Sequence, residues 1–301
     1  MSHFTVVVCI EDPEQLEAVL ARFDENREVE PYRDYQDGAP SAYWAVASLR
    51  EHEGLNPDDA TLTWAQVAEA NNRRYDDEPL LLIDDEGRAY SMSERNPDAK
   101  WDWWAVGGRW NGYFSYRAEF ARDVIHGEPG LGSGKSAPLH CDGGPKRALD
   151  LAALRDEKAA EARKTYAEFH ALIAGTPKAK SWASFRADLD AKRLTIEEAR
   201  ILYREQPAIQ ALDGTDFRWH NDPLDEFSLP ESLYVERQKA RAVPGFATLT
   251  MDGRWMAPGR MGWFAMSTDT EDSRIGYWAA ANAYIDSLPD DAYLVAVDCH
   301  I

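Results

Sequence analysis

The strongest constraint on the fold is a pair of apolar runs at the two ends of the chain. Residues 3–10 read HFTVVVCI and residues 293–301 read YLVAVDCHI. β-Branched residues favour strands, and a run that is apolar almost throughout is typical of a strand buried on both faces. We therefore predict that the two terminal strands occupy central positions in a sheet, which would bring the chain ends close together.

Between these runs, hairpin signals and helical patterns alternate. A hairpin is predicted over residues 80–92, around the turn Asp-Asp-Glu-Gly. Further strands are predicted at 101–106, 112–117, 246–251, 254–256 and 261–266. Capping residues and apolar spacing predict helices at 13–23, 41–52, 64–75, 151–173, 231–241 and 272–287, with two shorter helices after Ser181 and Thr195. Residues 24–40 and 122–144 are rich in polar or turn-forming residues and predict loops.

An internal repeat is one interpretation of two hairpin segments. LLLIDDEGRAYSM…KWDWWAVGG and ATLTMDGRWMAPGRMGWFAM each contain an apolar strand, an acidic-Gly turn, an arginine beside an aromatic residue and a later aromatic pair. Unrelated hairpins also share such features, so both readings stay open. Duplication would produce an α+β fold of ferredoxin-like flavour, with antiparallel sheets built from repeated β-meander units.

The change of composition after residue 144 predicts three segments. Residues 1–144 would form an N-terminal α+β half, and residues 145–206, which are rich in Ala, Glu, Lys and Arg, would form a helical insertion. Residues 207–301 would form a C-terminal α+β half that packs on the first. The fold class expected is therefore α+β with a central helical insertion.

Charge and cysteine content exclude several classes of function. The 33 Lys and Arg residues against 53 Asp and Glu residues give a formal net charge of −20, which opposes direct binding to nucleic acid or to a membrane surface. No apolar run reaches the roughly 18 residues of a membrane span, and the first residues lack a basic signal-peptide region. Three cysteines do not make a disulfide framework, so we expect a cytoplasmic protein.

The most informative motif is WDWWAVGGRW at residues 101–110. Aromatic faces together with guanidinium groups suit a ligand that carries a nucleobase and a phosphate, although an aromatic core with structural arginines has the same composition. The candidate ligand-binding residues are Trp103, Gly108, Arg109 and Trp110, with Arg254, Arg260 and Trp263 from the second hairpin.

Two other segments contain residues typical of a binding site but lack part of the pattern that such a site requires. The loop GLGSGKS at 130–136 resembles a phosphate-binding loop, but Pro129 occupies the position where that motif needs its first glycine, so we predict a surface loop. Cys9, Cys299 and His300 are candidates for a metal site or a nucleophile. Because neighbouring strand residues point to opposite faces, we expect core packing instead, with no metal and no cofactor.

The chain resembles a group of actinobacteriophage proteins that have no established activity. The resemblance rests on residues 100–110 (KWDWWAVGGRW), Tyr32 and its acidic surroundings, residues 141–146 (CDGGPK), residues 258–264 and the closing VDCH. It implies expression in the cytoplasm of an infected bacterium and an accessory role such as host takeover or anti-defence.

Three functions follow as hypotheses. The first is a non-enzymatic accessory protein that binds a host protein or a small anionic ligand, such as a signalling nucleotide, through the Trp/Arg surface. The second is a hydrolase or transferase that acts on nucleotides, with catalytic acids and His300 or Cys299 near the same cleft. The third is an acidic mimic of nucleic acid. The sequence leaves the oligomeric state open, a homodimer being one alternative.

Overall fold

The computed structural model describes residues 3–56, 59, 61–75, 80–133, 137–220, 222–260 and 267–301. The fold is mixed α+β, as the sequence predicts. The chain forms two compact units: a large unit of residues 1–19 with 103–301, and a small unit of residues 20–102. These units do not coincide with the predicted segments 1–144, 145–206 and 207–301.

The described strands and helices are as follows. The strands are β1 His3–Ile10, β2 Tyr32–Tyr35, β3 Leu82–Ile83, β4 Ala89–Ser93, β5 Trp103–Gly108, β6 Phe114–Ser115, β7 Glu128–Pro129, β8 His140–Cys141, β9 Gly143–Pro145, β10 Ala247–Leu249, β11 Trp255–Met256 and β12 Tyr293–His300. The α-helices are α1 Leu16–Ala21, α2 Val46–Glu53, α3 Trp64–Arg74, α4 Leu151–Leu172, α5 Trp182–Asp190, α6 Ile196–Arg204, α7 Pro207–Gln210, α8 Pro223–Glu226, α9 Glu231–Arg241 and α10 Glu271–Ser287. Short 3₁₀-helices lie at Pro13–Gln15, Pro40–Ala42, Ala118–Phe120 and Asp216–Trp219.

The two terminal strands pair with each other at the centre of the main sheet. Among the described residues this sheet has seven strands, in the order β11-β10-β1-β12-β5-β7, with β9 also paired to β12. β1 and β12 are antiparallel over their whole length, from His3 opposite His300 to Ile10 opposite Tyr293. The prediction that the apolar runs are neighbouring central strands is therefore confirmed.

The sequence predicted antiparallel sheets, but the main sheet is mixed, because it combines antiparallel pairs with two parallel ones. β10 runs parallel to β1, and β7 runs parallel to β5. Parallel neighbours require a crossover connection between their strands. The chain supplies one before β10, because the helices α4 to α9 all precede that strand.

The small unit contains its own sheet and core. Its strands are ordered β2-β4-β3, and the antiparallel β3–β4 hairpin confirms the prediction for residues 80–92. β2 was not predicted, since its sequence YRDY is short, polar and mostly exposed. Helices α2 and α3 bury Leu49 and Val67 against Leu81.

The predicted repeat is not confirmed. The β3–β4 hairpin belongs to the small unit, whereas β5 belongs to the main sheet of the large unit. In the second copy, the strand predicted at 261–266 lies outside the described residues. Trp101, which was predicted to begin β5, is fully buried in the small unit and forms an isolated bridge with Asp24.

The helical part of the large unit begins with α4, which confirms the helix predicted at 151–173. Asp150 caps this helix by accepting a hydrogen bond from the Ala153 backbone N–H (3.0 Å). The second half of α4 shares an aromatic core with later segments, and the stacked rings of Phe169 and Phe227 lie 4.4 Å apart. The helical core therefore extends beyond residue 206.

A second core lies between one face of the main sheet and the helices. It joins Val7 and Cys9 of β1 to Leu154 of α4 and Ile285 of α10. All three cysteines of the chain are buried and unpaired, which confirms the prediction that they are core residues. Within the described ranges, no helix has both the length and the apolar character needed to cross a membrane.

Candidate functional site

The GGRW motif forms a tight turn at the end of β5, whose last two residues are its glycines. Gly107 and Gly108 have φ angles of +75° and +54°, in the left-handed region that favours glycine. The Trp110 backbone N–H donates to the Gly107 carbonyl oxygen (3.0 Å) and closes the turn. A Cβ atom on Gly107 would lie 2.7–2.9 Å from the carboxylate of Asp142, so the two glycines are required by both conformation and space.

Asp142 holds the segment that follows this turn. It is 0% exposed and lies between β8 and β9. Its carboxylate accepts hydrogen bonds from the backbone N–H groups of Gly112 (2.6 Å) and Gly127 (2.7 Å) and from Nδ2 of Asn111 (2.9 Å). A buried carboxylate with three donors is fully engaged in structure, so Asp142 positions the loop.

Asp298 holds the same turn from the other side. It lies on β12, is 1% exposed, and its Oδ2 accepts the Arg109 backbone N–H (2.9 Å). Its Oδ1 accepts a hydrogen bond from Nδ1 of His3 (2.8 Å). The motifs GGRW, CDGG and VDCH, far apart in the sequence, therefore meet in one hydrogen-bonded cluster.

His3 connects this cluster to a row of rings at the end of the sheet. It pairs with His300 across the strands, and His300 pairs with Trp103. The His3 ring centroid lies 5.0 Å from that of His300 and 6.3 Å from that of Trp103, both edge to face. Within the described part of the chain, Nε2 of His3 has no hydrogen-bond partner.

The turn and His3 form part of the wall of a cleft of about 1060 Å³. Helices α4, α9 and α10 contribute much of the remaining wall, and every described lining residue belongs to the large unit. Trp110 and Trp278 provide aromatic surface, and Arg241 at the end of α9 also lines the cleft. A cleft of this size holds a small-molecule ligand.

The charges that line the cleft are mostly paired. Each of the four carboxylates among the described lining residues lies beside a basic group: Glu157 with His140 (3.2 Å), Glu161 with Lys158 (2.7 Å), Glu226 with His220 (2.7 Å) and Asp269 with Arg274 (3.1 Å). Arg241 differs, because it has no ion-pair partner among the described residues. An unpaired guanidinium group on a cleft wall is suited to bind an anionic group.

The structure separates the residues of the predicted Trp/Arg surface. Trp103 is 50% exposed at the level of His3, Arg109 is exposed after the turn, and Gly108 and Trp110 lie in the turn itself. Trp110 is the member of this group that lines the cleft.

The second group of predicted residues lies elsewhere on the main sheet. Arg254 is exposed between β10 and β11, and β1 and β12 separate these strands from β5. At roughly 4.8 Å per strand, Arg254 is on the order of 15–20 Å from β5. Arg260 is also exposed, and Trp263 lies outside the described residues. Arg254 therefore does not form one continuous surface with Trp103.

Sequence reasoning missed His3, Asp142, Asp298 and Arg241. A signal existed for Asp298, because an aspartate inside the apolar run YLVAVDCHI must find donors when its strand is buried. For Arg241 no signal existed, since the sequence does not tell which arginines lack a carboxylate partner.

The cysteines do not form a reactive or metal-binding centre with His300. Cys9 and Cys299 occupy positions of opposite parity, facing opposite sides of the sheet. Burial raises the pKa of the Cys9 thiol to about 12 and that of Cys299 well above its usual value, so both stay protonated at neutral pH. Over the described ranges, no group of three or more His, Cys, Asp or Glu residues could hold a metal ion.

Comparisons with family models, with curated proteins and with solved structures gave no match.

Proposed function

We propose that this chain is an accessory protein that binds a small anionic ligand in the cleft beside the GGRW turn. The observation that carries the proposal is the charge arrangement: every lining carboxylate has a basic neighbour, whereas Arg241 has no ion-pair partner within the described residues. Trp110 and Trp278 offer ring surfaces beside it. A guanidinium group near aromatic faces suits an anion that also carries a ring.

The walls of this cleft are organised before any ligand binds. Asp142 and Asp298 each accept hydrogen bonds from the turn segment, so Trp110 is held by a fixed backbone. A site that needs little ordering loses less conformational entropy when a ligand binds. The resemblance to phage proteins supports a role in the cytoplasm of an infected bacterium. A ferredoxin-like origin by duplication stays a proposal from the sequence pattern.

Native mass spectrometry of the protein purified from a bacterial host tests this proposal. We expect a fraction of the protein to carry a small anionic molecule, and we expect Arg241→Ala to lose it. Arg109→Ala is the matched control, because Arg109 is also exposed and lacks an ion-pair partner in the described chain but does not line the cleft. If Arg109→Ala lost the molecule and Arg241→Ala kept it, the binding site would instead be the predicted Trp/Arg surface. The proposal would be contradicted if the protein carried no small molecule when purified from any of the bacterial hosts tested.

A second candidate function is hydrolysis or transfer on a nucleotide, and the His3–Asp298 pair favours it. A buried carboxylate that accepts from Nδ1 orients the ring and leaves Nε2 as a base, which is the arrangement used in general-base catalysis. Here Nε2 would take a proton from water while the water oxygen bonds to the terminal phosphorus of the nucleotide, and the bond from that phosphorus to the bridging oxygen would break, so that phosphate and the shortened nucleotide leave. Phosphate release from a nucleotide panel, compared between the native protein and His3→Gln, tests it. No turnover above the His3→Gln rate would exclude this function for that panel.

A further inference from the structure

A second pocket, of about 370 Å³, lies among the helices of the large unit. It is bounded by α5, α6 and the 3₁₀-helix at Asp216–Trp219. Three arginines line it, Arg200, Arg204 and Arg218, with Asp213 as the carboxylate among its lining residues. We call it the arginine pocket.

The three guanidinium groups of the arginine pocket lack a carboxylate partner among the described residues. None of them forms an ion pair with any residue that the structure describes. Other described arginines, such as Arg109 and Arg186, also lack an ion pair, but Arg200, Arg204 and Arg218 differ from them because all three line the same pocket. Concentrating unpaired positive charge at one place is unfavourable for the empty protein and becomes favourable when an anion binds.

Local structure determines the positions of these arginines. Arg200 and Arg204 are four residues apart on α6, so they project from the same face of the helix. Arg218 belongs to the 3₁₀-helix, and its guanidinium carbon lies 4.4 Å from the centroid of the Trp219 ring. Such stacking reduces the mobility of a long side chain and presents its donors in a defined plane.

The pocket also has an aromatic wall, formed by Trp182 and Tyr203. Their rings meet edge to face with centroids 5.4 Å apart. Asp222 fixes the pair, because it accepts hydrogen bonds from the Tyr203 hydroxyl (3.1 Å) and from the Trp182 backbone N–H (2.6 Å). Trp182 is only partly buried and lines the pocket, although Phe185 stacks beside its ring with centroids 6.2 Å apart.

We propose that the arginine pocket binds a mononucleotide, with the phosphate on the arginines and the base against Trp182. Arginine matches phosphate geometry through paired donors, and bases of any identity stack on an indole ring. A pocket of about 370 Å³ lies within the size range of small-ligand sites. This inference does not depend on the ligand proposed for the larger cleft, although His220 lines both cavities.

Calorimetric titration of the full chain with AMP, ribose 5-phosphate and inorganic phosphate tests the proposal. We expect AMP to bind more tightly than ribose 5-phosphate, and inorganic phosphate to bind most weakly. Because each charged hydrogen-bonding group contributes about tenfold, the double variant Arg200→Ala/Arg204→Ala should weaken AMP binding about 100-fold. Arg186→Ala is the matched control, since Arg186 is exposed on α5 and does not line the pocket.

A second variant separates stacking from charge. Trp182→Leu should reduce AMP affinity to that of ribose 5-phosphate and leave ribose 5-phosphate unchanged, with thermal unfolding used to confirm that the variant is folded. The proposal is overturned if AMP does not bind at millimolar concentration, or if the double variant binds AMP like the native protein. Loss of AMP binding in Arg241→Ala but not in the double variant would assign AMP to the larger cleft instead.

Discussion

The larger cleft and the arginine pocket differ in how their walls are built. The cleft depends on contacts between distant parts of the chain: Asp298 accepts the backbone N–H of Arg109, 189 positions away. The pocket depends on local spacing, with Arg200 and Arg204 one helical turn apart on α6. Ligand binding in the larger cleft should therefore be sensitive to changes in protein stability, whereas binding in the arginine pocket should be sensitive to changes in charge.

The larger cleft and the arginine pocket also differ in how far their charged side chains are paired. In the larger cleft the carboxylates lie beside basic groups and the buried aspartates accept backbone donors. In the arginine pocket three cations line the wall and have no ion-pair partner within the described part of the chain. Among the described lining residues, Arg241 is the unpaired cation of the cleft, whereas the pocket has three such cations, which gain favourable interactions when an anion enters.

The largest expected effect is on stability, from Asp142→Ala. The change leaves the donors of Gly112, Gly127 and Asn111 without their acceptor, at a cost of about 1–3 kcal/mol each when buried. We expect the free energy of unfolding, measured in urea, to fall by about 3 kcal/mol or more. Arg200→Ala should stay within roughly 0.5 kcal/mol of the native protein, as exposed substitutions do. If both variants lost the same free energy of unfolding, the two sites would not differ in their contribution to protein stability.

Alanine substitutions at two glycines test whether the turn at the end of β5 has room for a side chain. Gly108 and Gly214 both have positive φ, +54° and +80°, but an added Cβ would overlap Asp298 at Gly108 and meet nothing within 4 Å at Gly214. Gly214→Ala should therefore cost about 1–2 kcal/mol from conformation alone. Gly108→Ala should cost about 1–3 kcal/mol more, since the buried Asp298 cannot move freely. Urea unfolding of both variants measures the difference, and equal costs would mean that the turn accommodates a side chain.

Alkaline pH should weaken the core behind the larger cleft. Burial raises the pKa of the Cys9 and Cys141 thiols from 9.0 to about 12. Between pH 9 and 12 the unfolded chain releases these protons while the folded chain keeps them, so stability falls as pH rises. The expected slope is roughly 1.4 kcal/mol per thiol for each pH unit. When the unfolding free energy is measured in urea at several pH values in this range, its decrease per pH unit should be smaller for Cys9→Ala than for the native protein. An equal decrease would show that Cys9 ionises freely in the folded protein.

The smallest expected effect is that of salt on AMP binding in the arginine pocket. Its arginines are exposed, so ions screen them as the Debye length falls from about 30 Å at 0.01 M to about 10 Å at 0.1 M salt. We expect calorimetric AMP affinity to drop several-fold over this range, while the unfolding free energy set by Asp142 and Asp298 changes little. Salt-independent AMP binding would mean that stacking on Trp182, rather than charge, holds the ligand.

Local signals in the sequence predicted several elements closely. The capping box formed by Thr195 and Glu198 begins α6 as predicted, and helix α9 has the predicted bounds, Glu231–Arg241. Caps and apolar spacing act between residues three or four positions apart, so they can be read without knowing the rest of the fold. The strand β2 was missed because its polar sequence YRDY becomes a strand only by pairing with β4.

The candidate site was only partly predictable. The sequence identified the GGRW turn, and Gly108 and Trp110 lie beside the larger cleft or within its wall. It grouped Arg254 with Arg109 because their hairpins look alike, although two strands of the main sheet separate them. Similar local sequence does not determine which strands become neighbours, since that choice depends on the packing of the whole sheet.

The central position of the terminal strands and the bounds of most helices could be predicted from residue patterns alone. Those features follow from apolar patterning and from contacts within a few residues. Folding was needed to bring Asp142 and Asp298 to the glycine turn and to leave Arg241 without an ion-pair partner among the described residues. The partners of a buried donor or of a charged group come from distant parts of the chain, and they become neighbours only after the chain has folded.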